Sequence, residues 1–108
     1  TEGTHLVVGT WKGGRIGTFR GIREGKKDYG AMVFGTKGIQ SGGKYDGYKP
    51  LVAEICTFFK TGEAPIPAQE TIEMFAFMEG ADESKRQGGV PVSIAETIRK
   101  AGGPLRSE

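Results

Sequence analysis

With one cysteine and one histidine, the chain excludes several kinds of chemistry at the outset. A lone cysteine rules out an internal disulfide, and with it the cystine-stapled secreted modules. His5 and Cys56 together cannot supply a zinc site, which needs several such ligands in register. Cys56 falls four residues after Val52 and three before Phe59, on the apolar face of an expected helix. It reads as a buried structural thiol, because no base stands near it in sequence to make it a nucleophile. His5 reads as an ordinary strand residue. No apolar run approaches the ~18 residues of a membrane span. Charge of one sign is also missing: 15 Lys and Arg stand against 13 Asp and Glu. The longest basic run, Arg23, Lys26 and Lys27, is broken by Glu24 and closed by Asp28, a solvated turn. This balance implies neither a nucleic-acid partner nor a membrane surface.

Glycine is abundant, at 19 residues, yet no G-x-G-x-x-G occurs. A dinucleotide-binding half needs that turn between a strand and a helix, so the chain holds no ordinary NAD site. Gly38 to Lys44 matches G-x-x-x-x-G-K, but Tyr45 stands where a phosphate loop has its metal-binding hydroxyl. Asp46 to Pro50 follow where that motif needs an immediate helix. This is a glycine-rich loop. Glu70, Glu73, Glu79, Asp82 and Glu83 read as the solvated face of a helix, and the first two also suit the positive end of its dipole. No residue is assigned a catalytic or metal-binding role.

What is present divides into two halves of different period. Residues 5–43 read as strands separated by the turns Lys12-Gly13-Gly14, Glu24–Asp28 and Lys37-Gly38. Tyr29–Thr36 is the most apolar strand, with hydrophobic residues on both faces, as for a strand covered on both sides. The second half changes to three- and four-residue spacing. Leu51, Val52, Ile55, Phe58 and Phe59 place a helix over about 50–61, started by Pro50 and stopped by Gly62. A longer helix is expected over about 68–87, its first part buried between layers. Val90-Pro91-Val92 suits an edge strand. Ser93 and Glu96 form a capping box for a last helix over 94–101, which ends at Gly102-Gly103-Pro104.

Strands followed by helices indicate an α+β fold: a single domain, 1–108, with a four-stranded antiparallel meander packed on one face by helices. Trp11, Tyr45, Tyr48 and Lys49 are the candidate substrate-binding residues. The last three sit in a Gly-rich loop leading from sheet to helix, where a hydroxyl and a cation can meet a polyhydroxylated ligand.

The order GTWKGGRIGTFRGIR, YGAMVFGTKG and YKPLVAEICTFFKTGEAPIPAQETIEMFAFMEGADESKRQGGVPV resembles the C-terminal domain of the Gfo/Idh/MocA oxidoreductases. The resemblance runs from about Thr10 to Ile94. Its most specific parts are Phe34-Gly35-Thr36-Lys37-Gly38 and Glu79 to Val92. It implies a parent enzyme whose N-terminal Rossmann domain binds NAD(P), with a Glu-Lys-Pro motif supplying a catalytic lysine. This chain has neither that motif nor the family's acid/histidine pair. Lys49-Pro50 follows Tyr48 rather than Glu and lies in the wrong part of the chain, so the lysine's role is not carried over. Pro67 and Ala68 stand where the family often has a Ser or Thr helix cap.

The implied role is to wall the substrate cleft and to associate as a homo-oligomer through the sheet, with the parent's Rossmann domain as the other partner. NAD(P) would bind the parent, not this chain. The chain begins at Thr1 without a methionine, as a processed or truncated product does. For the parent a cytoplasmic location is slightly favoured, with export left open. The rival expectation is an autonomous small α+β binding or scaffold module, because a fold does not fix a function.

Overall fold

The computed structural model describes residues 1–42 and 45–102. It has four strands and then three helices: β1 (Thr4–Thr10), β2 (Ile16–Ile22), β3 (Met32–Gly35), β4 (Gly38–Ser41), α1 (Lys49–Thr61), α2 (Ala68–Arg86) and α3 (Ile94–Lys100). This is an α+β arrangement with antiparallel pairing throughout. The chain divides into two compact units, residues 1–51 and 52–108. Among the described residues no helix is long and apolar enough to cross a membrane.

In the first unit, β1 and β2 pair over their full length, from Thr4 opposite Ile22 to Thr10 opposite Ile16. Gly13 (φ 89°) and Gly14 (φ 81°) make the turn in left-handed backbone that a side chain would strain. The Trp11 amide donates to the Arg15 carbonyl at 2.9 Å and closes the loop. Glycines alternate with Phe19 along one face of β2. The Trp11 ring lies over Gly17, with ring carbons 3.1 and 3.2 Å from where a Cβ would stand, and the Phe19 ring leans over Gly21 in the same way. Bare backbone thus forms the floor on which these two rings rest.

The expected meander of four strands is replaced by two separate hairpins, β1–β2 and β3–β4. The cause lies in the polar connection of residues 23–31. It is too long for a tight hairpin, and Asp28 Oδ1 takes the Tyr29 amide at 2.8 Å, a local bond that competes with a ladder. β3 is accordingly shorter than expected, starting at Met32 instead of Tyr29. Val90-Pro91-Val92 forms no strand either. The Val90 carbonyl instead accepts a hydrogen bond from Ser84 Oγ at 2.7 Å, which ties the segment to the end of α2.

The helices of the second unit lie within a residue of the expected ranges because their ends are marked by residues with one backbone preference each. Gly62 (φ 74°) closes α1 by donating to the Phe58 carbonyl at 2.8 Å. Gly88 and Gly89 close α2 by donating to Lys85 and Ser84. Pro67 caps α2 with no side-chain hydrogen bond, as a residue without a polar side chain must. Ser93 Oγ accepts the Glu96 amide at 3.3 Å and caps α3. Only half of the capping box forms, since the Glu96 carboxylate turns instead toward Arg99 and Lys100. Gly103 and Pro104, the rest of the expected stop after Gly102, lie outside the described residues.

The packed core of this unit is the contact of α2 with α3. Ala76 and Gly80 are buried on α2 and Ile98 on α3. A Cβ on Gly80 would stand 2.9 Å from Ile94 Cδ1, so the missing side chain is what lets α3 come this close. Two expectations fail here. Cys56 is exposed, not buried, because the apolar row of α1 has no buried residue at all. The first part of α2 is not sandwiched between layers: Met74, Phe75 and Met78 stay exposed, since α3 covers one side only.

Candidate functional site

Three tyrosines gather in the first unit. The Tyr29 and Tyr45 rings lie 5.3 Å apart at a 42° tilt, and Tyr48 meets Tyr45 edge-on at 6.4 Å. The β3–β4 register explains the meeting. Met32 pairs with Ser41, and one step further the Gly42 amide donates to the Ala31 carbonyl at 2.7 Å. The two chains leaving this hairpin therefore start side by side, Tyr29 on one and Tyr45 on the other. Gly47 (φ 74°) then turns the chain so that Tyr48 returns toward Tyr45 just before α1 begins at Lys49.

The rings are held by one another and stay open to solvent, with Tyr29 76% and Tyr48 73% exposed. Such a set offers flat apolar faces, phenolic hydroxyls and a nearby ammonium group in sequence. That chemistry suits a ligand with both C–H faces and hydroxyls. Of the residues singled out from sequence, the fold brings Tyr45 and Tyr48 together. Lys49 is the first residue of α1, and Trp11 belongs to the other hairpin, over Gly17. Gly43 and Lys44, which complete the near match to a phosphate loop, lie outside the described residues.

Tyr29 is not among the sequence candidates because its spacing reads as the start of a strand. Its signal was available: counting outward from the Lys37-Gly38 turn places Tyr29 across from the residues before Tyr45.

The second unit holds an open groove of about 870 Å³ between α2 and α3, with Ile72, Phe75 and Val92 among its apolar lining. Most of its polar side chains are already engaged. Ser93 Oγ caps α3, and Thr97 Oγ1 donates to the Ser93 carbonyl at 3.0 Å. Arg86 bridges Glu79 at 2.7 Å and Glu83 at 2.6 Å. The groove has space but little uncommitted polar chemistry, so the tyrosine cluster is the better candidate.

Glu83 also shows what this network does to a carboxyl. Hydrogen bonds from Gln87 (2.6 Å) and then Arg86 (2.7 Å) favour its charged form and hold it below the ordinary glutamate range. Because the folded value is depressed, its contribution to stability is present above the unfolded value of 4.5 and is lost as the pH falls through the folded one. The end of α2 should therefore fray below that pH, and Glu83→Gln should flatten the response. Helicity followed by circular dichroism against pH checks this.

No protein-family model, curated protein or solved structure matches the chain.

Proposed function

We propose that the chain is the substrate-side and oligomerisation domain of an NAD(P)-dependent oxidoreductase acting on a sugar or polyol, and that it is not catalytic by itself. The observation that carries this reading is how much apolar surface the chain leaves to be covered. Among the described residues only Ala76 and Ile98 of the hydrophobic side chains are buried, while Leu6, Val8, Ile16, Phe19, Ile55 and Phe59 all stand exposed. The chain exposes 9758 Å². Two separate globules of half this mass would together expose about 7,000 Å².

A two-stranded hairpin open on both faces is marginally stable alone. In the proposed parent the two hairpins belong to one larger antiparallel sheet backed by helices, in the manner of a Gfo/Idh/MocA C-terminal domain. The uncovered sheet face is then the surface for association. Tyr45, Tyr48 and Lys49, now joined by Tyr29, together with Trp11 are the side chains offered to the substrate. The dinucleotide and the catalytic groups come from the parent's Rossmann domain.

The test is the coding sequence upstream of Thr1. A continuous frame holding a strand, G-x-G-x-x-G and a helix, and later Glu-Lys-Pro, is the expected result. A stop codon followed by a start close before Thr1 would sink the enzyme reading.

A further inference from the structure

The near-zero net charge conceals a segregation of sign. Residues 1–51 hold nine Lys and Arg against four Asp and Glu; residues 52–108 hold six against nine. Within this pattern two segments are wholly one-signed. From Thr4 to Arg23, the β1–β2 hairpin carries Lys12, Arg15, Arg20 and Arg23 and no acid. From Ala68 to Ser84, α2 carries five acids and no base.

Each segment also presents an apolar surface among its charges. Residues opposite one another in the hairpin share a face, so the pairs Leu6–Arg20, Val8–Thr18, Thr10–Ile16 and Thr4–Ile22 put Leu6, Val8, Ile16, Ile22 and Arg20 on one side. All five are exposed. On α2, Glu70, Met74, Met78 and Asp82 follow at four-residue spacing and form a single row. All four are exposed, on the part of the helix that α3 leaves uncovered. Two methionines between two carboxylates make an adaptable apolar strip with negative ends. Glu79 and Glu83 are taken up by Arg86, which leaves Glu70 and Asp82 outside that bridge. The lengths agree as well: twelve helical steps span about 18 Å and a seven-residue strand about 20 Å.

We propose that the Glu70–Met74–Met78–Asp82 row of α2 docks the Leu6/Val8/Ile16/Arg20 face of the β1–β2 hairpin from a second copy of this chain. Each copy carries one hairpin and one such row, so a two-fold pair has the contact to offer twice. Burying the methionines against the aliphatic face supplies the attraction. Arg20 against Glu70 or Asp82 sets the register. This inference rests on the oligomerisation reading above and names the surfaces that perform it.

The experiment is sedimentation equilibrium of the whole chain, read against salt and charge reversal. The dissociation constant should rise between about 50 and 500 mM NaCl, as exposed ion pairs are screened. Arg20→Glu alone, and Glu70→Lys with Asp82→Lys, should each weaken the pair about tenfold or more. An equimolar mixture of the two variants should recover the original affinity, since both contacts in the mixed pair again join opposite charges. Association that ignores salt and both variants overturns this pairing while leaving the oligomerisation reading intact. A strict monomer overturns both. If a variant fails to fold by circular dichroism, the salt series on the unmodified chain decides. If the unmodified chain is a monomer that binds a single-stranded oligonucleotide of about 20 nucleotides, the hairpin serves a polyanion and the pairing is wrong.

Discussion

Ile98→Ala should release α3 from α2, with a loss of about 2–3 kcal/mol in the stability of the helical unit. Ile98 is 6% exposed and is the one large side chain buried among the described residues. It sits on a helix of seven residues, far below the length at which a helix persists without packing. Removing three carbons takes away transfer free energy and leaves a cavity, and such substitutions cost about 2–5 kcal/mol. The lower part of that range applies here, because the α2–α3 contact opens onto a groove and can settle. The Ser93 cap adds about 1 kcal/mol and cannot hold α3 by itself. Amide exchange should show Ile94–Lys100 losing protection while most of α2 keeps its own. Protection unchanged in α3 would mean that something other than Ile98 fastens it.

The second large effect is a contrast at Gly80. A Cβ there meets the Ile94 Cδ1 at 2.9 Å, then Thr97 Oγ1 at 3.8 Å and Val92 Cγ1 at 3.9 Å. The tight neighbour is the far end of a flexible side chain, so Gly80→Ala needs only a small rotation of Ile94. The gain in helix propensity, up to about 1 kcal/mol, should offset that shift. Gly80→Val is different: its two branches have no free volume, α3 must move away, and overpacking of this kind costs about 1–3 kcal/mol. Denaturant midpoints of the two variants should separate, with Ala near the original and Val well below. Equal midpoints would show that α3 does not rest on Gly80.

Local signals were legible in the sequence to the degree that one residue decides one piece of backbone. Gly62, Gly88 and Gly89, Pro67 and Ser93 each mark a helix end, and each works within a few residues. The Gly13-Gly14 turn was legible for the same reason. Pairing beyond the turn was not. The residue spacing of Tyr29–Thr36 suits a strand, but nothing in it says whether its neighbour is β2 or only β4. The polar connection of residues 23–31 decides that through loop length and the Asp28 bond.

Burial was the other weak point. Three- and four-residue spacing on α1 and α2 identifies an apolar side and not what lies against it, so Cys56 and Phe75 read as interior and stand outside. Of the candidate site, Tyr45 and Tyr48 could be read from their loop. Tyr29 needed the register of β3 and β4. The docking row on α2 was hidden by a charge total that averages a basic hairpin with an acidic helix.

These particulars point to one physical claim: the chain is made to be covered. The most direct measurement is the mass of the whole chain by light scattering after size-exclusion chromatography at about 100 µM, a concentration high enough for mass action to reveal even weak pairing. The account predicts a mass at or above twice that of the 11.6 kDa chain. A strict monomer that nonetheless unfolds cooperatively would contradict it, because the exposed hairpins and helices would then be stable with nothing against them.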